Sequence, residues 1–166
     1  MELLLIIGFA MLLIVGPVLM LRPSPRDRRL ARIRLVAQQR RVNVQPIVLS
    51  RDPVFSRTLE RNPHLPDSGW SRYQLVAADD QRGPSIHGKW IQRKFPGGRM
   101  LWESESVRQV SCAAIDDLLA RWEQAQQPDF LALELGPRSV AIVWNEKGDA
   151  PEVEALCQQL QQLMAV

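Results

Sequence analysis

The groups in this chain whose types could do chemistry are two histidines, two cysteines and a few close acid pairs. His64 stands in Asn62-Pro63-His64-Leu65-Pro66 and His87 in Ile86-His87-Gly88, both in stretches that read as loop. A metal site needs His, Cys and acids clustered at short spacing, and neither histidine has such neighbours. Cys112 opens a predicted helix, a place where a helix dipole favours thiolate, and it would need His64 or His87 beside it to act as a nucleophile. No local signature surrounds it. Cys157 falls in an apolar stripe and reads as core. The two are not spaced as C-x-x-C, and both are expected as free thiols. Asp79-Asp80, Glu103/Glu105 and Asp116-Asp117 would supply a general acid and base only if they converged on one substrate. Read locally, the first lies in a turn, the second flanks a strand end and the third faces away from an apolar helix stripe. The chain contains no G-x-x-x-x-G-K, G-x-G-x-x-G or G-x-S-x-G. The expectation is a protein that is not an enzyme and has no cofactor or metal. The alternative is a membrane-bound enzyme using Cys112 or an acid pair.

The elements that position these groups begin with Leu3–Leu21, which carries no charged side chain. At about 1.5 Å per residue such a helix is about 28 Å long, near the thickness of a bilayer core. It lacks the basic leader and small-x-small end of a signal peptide, so it reads as an uncleaved transmembrane helix over residues 1–21. Gly16-Pro17 would bend it, and Pro23 and Pro25 form a hinge after it. Arg22, Arg26, Arg28, Arg29, Arg32, Arg34, Arg40 and Arg41 follow, opposed only by Asp27. The positive-inside rule then puts the N-terminus outside and the remainder in the cytoplasm, as a single-pass inner-membrane protein.

The formal net charge is +3, but its distribution argues against nucleic acid. Residues 22–41 hold eight arginines and one aspartate, whereas residues 42–166 hold thirteen basic and sixteen acidic side chains. The basic character belongs to the juxtamembrane segment, where anionic lipid is the expected partner of Arg22, Arg26, Arg28, Arg29, Arg32 and Arg34. From Arg26 the spacing predicts a helix with Leu30, Ile33 and Ala37 on one face. That stripe could lie on a membrane surface or dock on the rest of the protein. With its span, its RPSPRDRR and a small body, the chain resembles the YajC-type small inner-membrane proteins of bacteria over residues 1–35. Their Gly-rich G-D-x-V-x-T-x-G-G segment is not here, and Arg41-Val42-Asn43-Val44-Gln45-Pro46 stands in its place. The resemblance implies a bacterial inner-membrane accessory protein.

Residues 42–166 read as one cytoplasmic domain. Strands are expected at Val42–Ser50, with Pro46 marking an edge or bulge, and at Trp70–Ala77, Lys89–Phe95 and Met100–Trp102. Residues 51–69 read as a mobile loop, and Glu103–Val110 is ambiguous. Ser111 is a candidate N-cap for a helix with Ile115, Leu118, Leu119 and Trp122 on one face, ended near Pro128. Phe130–Leu135 and Ser139–Glu146 read as a hairpin through Gly136-Pro137-Arg138. Asp149 and Glu152 have capping-box spacing for a last helix with Val153, Leu156, Cys157, Leu160, Leu163 and Met164 inward. The fold class expected is therefore α+β: a single transmembrane helix, a basic juxtamembrane helix, and a small, mostly antiparallel sheet with two helices packed on one face.

Most of the five tryptophans should fill the core. Trp70 and Trp102, at element edges, are candidate partner contacts, as are Gln158 and Gln162 on the uncharged outer face of the last helix. The function expected is a membrane-anchored, non-enzymatic accessory protein whose body contacts a membrane-protein partner.

Overall fold

The two most apolar strand patterns in the body, FLALELG and SVAIVW, become the centre of a sheet. The computed structural model describes residues 8, 11, 23–95, 99–105, 112–125 and 129–166. Its strands are β1 (Val42–Ile47), β2 (Trp70–Val76), β3 (Gly88–Lys94), β4 (Met100–Ser104), β5 (Phe130–Gly136) and β6 (Ser139–Trp144). Its helices are α1 (Pro25–Gln39), α2 (Pro53–Arg61), α3 (Ala113–Gln124) and α4 (Ala150–Met164). The sheet has the order β1-β2-β6-β5-β3-β4, and every pairing is antiparallel. β5 and β6 are joined by the tight turn Pro137-Arg138 and are buried on both faces, which is why they read as nearly continuous apolar runs. β1 is an edge strand, where Pro46 costs no ladder bond to a further neighbour.

Helices cover both faces. On one, Leu49 and Phe55 pack with Trp70, Ile91, Leu131, Ala132 and Val143. On the other, Tyr73, Ile142, Leu133 and Trp90 fall on one register row. There α4 buries Val153, Leu156, Cys157, Leu160 and Leu163. α3 buries Ile115, Leu118, Leu119 and Trp122. Trp122 stacks on Phe130 at 4.8 Å and lies 5.3 Å from Trp102. The anticipated pair of helices on one face is thus α3 and α4, and α2 on the opposite face is additional.

The chain clusters into residues Met1–Arg32 and Ile33–Val166, and the second unit contains the whole sheet. α1 is opened by a reciprocal cap: the Ser24 N–H donates to Asp27 Oδ2 at 3.1 Å, and the Asp27 N–H donates to Ser24 Oγ at 3.1 Å. Pro25 occupies the first helical turn rather than a hinge. α4 is opened by the capping box its sequence announced, with Asp149 N–H on Glu152 Oε2 at 3.0 Å and Glu152 N–H on Asp149 Oδ1 at 3.4 Å.

Two expectations are corrected. The first is the single-pass membrane architecture. Among the described residues no helix is long and apolar enough to cross a membrane. The longest, α1 and α4, have 15 residues each. That is about 22 Å of helix, short of a bilayer core, and their sequences are rich in arginine and glutamine. Leu3–Leu21, on which the expectation rested, lies outside the described residues except for Gly8 and Met11.

The second is the mobile loop at residues 51–69, which contains α2. Asp52 caps it by accepting the Val54 N–H at 3.0 Å, and Pro53 begins it. The segment after it is pinned to the sheet. Asp67 accepts the Ser50 N–H at 2.7 Å and the Ser50 hydroxyl at 2.8 Å. The Trp70 indole N–H donates to the Pro66 carbonyl at 2.8 Å. Pro96–Gly98 and Ser106–Ser111 lie outside the described residues, so Ser111 as a cap does too; Cys112 precedes α3 without a side-chain cap bond.

Candidate functional site

The groups singled out for chemistry do not meet. His64, His87, Asp79, Asp80, Asp116 and Asp117 are exposed, in separate parts of the chain. Glu103 and Glu105 pair with Arg93 on the neighbouring strand, at 2.6 and 3.7 Å. Cys112 is half-buried; Cys157 is buried, and burial pushes its thiol up to about 11. Among the described residues no three His, Cys, Asp or Glu groups could hold a metal ion.

The arginine series divides. Arg22 lies outside the described residues. Arg26, Arg28 and Arg32 are exposed and Arg29 is half-exposed on α1. Arg34 is different. Its guanidinium grips Glu146 with Nε–Oε1 at 2.8 Å and Nη2–Oε2 at 2.6 Å. Tyr73 donates its hydroxyl to Glu146 Oε1 at 3.0 Å, and Ser71 Oγ lies 3.5 Å from the Arg34 Nη2. Glu146 is 4% exposed and sits in the left-handed region at φ 54°. Burial alone would raise its carboxyl, but hydrogen bonds from Arg34, Ser71 and Tyr73 and the charge of Arg34 hold it below the usual range. Burial, followed by the charge of Glu146, pushes the Tyr73 hydroxyl far up, so it stays a donor. This constellation is closed and fully engaged, and it holds the C-terminal half of α1 to the sheet.

Four of the five tryptophans, Trp70, Trp90, Trp122 and Trp144, are buried. Trp70 is 4% exposed and tied to Pro66, so it is no protruding anchor. Trp102 is half-buried in the Trp122–Phe130 stack. Gln158 and Gln162 are exposed on α4.

What sequence reasoning missed is a hollow of about 190 Å³ between α2 and the β3–β4 hairpin. Leu65, Trp70, Phe95, Met100, Phe130 and Leu131 form its apolar wall. Leu131 reaches it because the β5 ladder shifts register between Phe130 and Ala132. In the same wall lies Thr58, 5% exposed, whose hydroxyl has no hydrogen-bond partner among the described residues. Arg61, Asn62, Gln92, Arg93, Lys94 and Glu103 complete the lining. The ion-pair lattice behind α2 fixes this wall: Asp52 meets Arg72 at 3.2 Å, Arg72 meets Glu134 at 3.1 Å, and Glu134 meets Lys89 at 2.6 Å. Lys89 in turn caps the Phe55 ring at 4.1 Å. The available signal was Asp52-Pro53, an N-cap followed by an N1 proline, ahead of Val54, Phe55, Thr58 and Leu59 at helical spacing.

Two other concavities are less suited. One, lined by Trp122, Phe130, Trp144, Asp129 and Glu152, contains the unpartnered Trp144 indole N–H. Its acids are already engaged, Asp129 by Asn145 at 2.8 Å and Glu152 by the α4 capping box. The other is a broad groove with Arg40, Arg41 and Arg82 on its rim and, among the described residues, no buried unpartnered side-chain polar atom in its lining.

No family model matches the chain, and neither a curated protein nor a solved structure matches it. These comparisons do not bear on the resemblance of residues 1–35 to YajC-type proteins.

Proposed function

We propose that residues 33–166 form a non-enzymatic binding module that takes a small apolar group into the hollow between α2 and the β3–β4 hairpin. The observation that carries this reading is the Thr58 hydroxyl, buried and unpartnered among the described residues beside an apolar wall of Leu65, Trp70, Phe95, Met100, Phe130 and Leu131. Leaving such a group unpaired costs about 1–3 kcal/mol. A chain keeps that cost readily where a ligand supplies the missing bond, and an apolar pocket with a few polar groups is the common form of a ligand site. The placement of His64, His87, Cys112 and the acid pairs in separate regions supports binding over catalysis.

The test is a fragment screen of the ¹⁵N-labelled full chain by two-dimensional NMR. Hits should shift Thr58, Asn62, Leu65, Gln92 and Leu131 together. An L65W variant, which fills the hollow, should lose those shifts while keeping the rest of its spectrum. If hits map elsewhere, or if no fragment binds, the reading fails.

A further inference from the structure

Resting on that reading, the geometry points to a specific chemical class of ligand: a small aryl carboxylate, with its ring among the aromatic wall residues and its anion toward Arg61, Lys94 and the Thr58 hydroxyl. Size sets the apolar body. A cavity of about 150 Å³ lined by aliphatic and aromatic side chains accepts benzene. The hollow here, about 190 Å³, accommodates one ring and a short polar substituent. Trp70, Phe95 and Phe130 line it and give it aromatic surface for that ring.

Charge sets the polar end. Three cations and one acid line the hollow. Arg93 is held by Glu103 at 2.6 Å and by Glu105 at 3.7 Å, a cluster whose formal charge is −1. Glu103 is thereby engaged, and the residual negative charge of the cluster offsets only one of the two remaining cations at the hollow. Arg61 and Lys94 have no ion pair among the described residues, which leaves the five groups with a formal charge of +1 at the hollow. A guanidinium matches the planar fork of a carboxylate, and an ammonium adds a point charge. The buried Thr58 hydroxyl, as a donor, completes the recognition that a neutral ligand would leave weaker. An amine ligand would face the same net charge as repulsion.

The experiment uses the full chain and three matched probes: phenylacetate, 2-phenylethanol and 2-phenylethylamine. Affinities are read from the NMR shifts of the hollow residues at low and high salt. Phenylacetate should bind about tenfold more tightly than the alcohol, the value of one charge-assisted hydrogen bond. The amine should bind most weakly, and the acid's advantage should shrink as salt rises. In R61Q/K94Q the acid should lose its advantage over the alcohol, the two being compared in the same variant. If that variant misfolds, the salt dependence of the unaltered chain decides the question. Equal or tighter binding of the alcohol overturns the carboxylate assignment and leaves the binding-module reading standing. Silence from all three probes also overturns the assignment, and the fragment screen then judges the hollow independently.

Discussion

Arg34 and Glu146 lie 112 positions apart in the chain and meet through two bonds, of 2.6 and 2.8 Å. Glu146 is almost fully buried, so its charge depends on this partner. Removing one member of such a pair strands the other. R34M should cost about 3 kcal/mol, below the top of the buried-pair range because Arg34 keeps 35% of its side-chain exposure. E146Q alone should cost a comparable amount, and R34M/E146Q less than the sum. Urea unfolding of the four proteins gives the cycle.

The same pair sets an acid limit. The folded Glu146 carboxyl is held below its ordinary value of 4.5, so the unfolded chain binds more protons in that range. Its ionisation therefore adds stability that is complete above about pH 4.5 and is lost as pH falls through the folded value. In R34M the sign reverses, because burial without the guanidinium raises the carboxyl. The deficit of R34M should accordingly shrink on acidification. Thermal midpoints between pH 3 and 7 distinguish the two slopes.

T58V replaces the orphaned hydroxyl with an isosteric methyl. It should raise unfolding stability by about 1 kcal/mol, since no bond among the described residues is lost and an unsatisfied polar atom is removed. It should also weaken binding in the hollow. A variant that is more stable and binds less well would tie Thr58 to function. Destabilisation would show that the hydroxyl already has a partner.

Arg41 follows α1 at φ 61°, a conformation disfavoured for a residue with a Cβ. R41G should be neutral to stabilising by about 0.5–1 kcal/mol, the relief of strain being partly offset by the freedom glycine gains when unfolded. Chemical denaturation checks this. A clear loss would mean that the Arg41 side chain contributes contacts that outweigh its backbone.

Gly83 tests the loop that crosses the β5–β6 turn. A Cβ there would collide with the Pro137 carbonyl oxygen and stand 2.7 Å from the Arg138 Cα, both backbone. G83A should lower the thermal midpoint by several degrees, about 1–3 kcal/mol of overpacking. The Ala77 N–H bond to the Arg138 carbonyl, 2.8 Å, should exchange faster as the loop moves away.

The sequence by itself determined the local elements. Alternation marked β1 and its Pro46 edge, apolar runs about a tight turn marked β5 and β6, and Asp149 with Glu152 announced the start of α4, because each signal lies within a few residues of its effect. α2 was legible in principle through Asp52-Pro53, but three prolines and the short apolar run made 51–69 look like loop. A membrane span was read from hydropathy alone, and among the described residues no helix carries it. Only the tertiary structure decided which residues meet at distance. Arg34 reads as one of eight similar arginines until the fold sets Glu146 beside it. Thr58 reads as one residue of a loop until α2 forms against the sheet and buries it. Periodicity says which face of an element is apolar. It does not say what that face will touch, and both the ion pair and the hollow are made of such contacts.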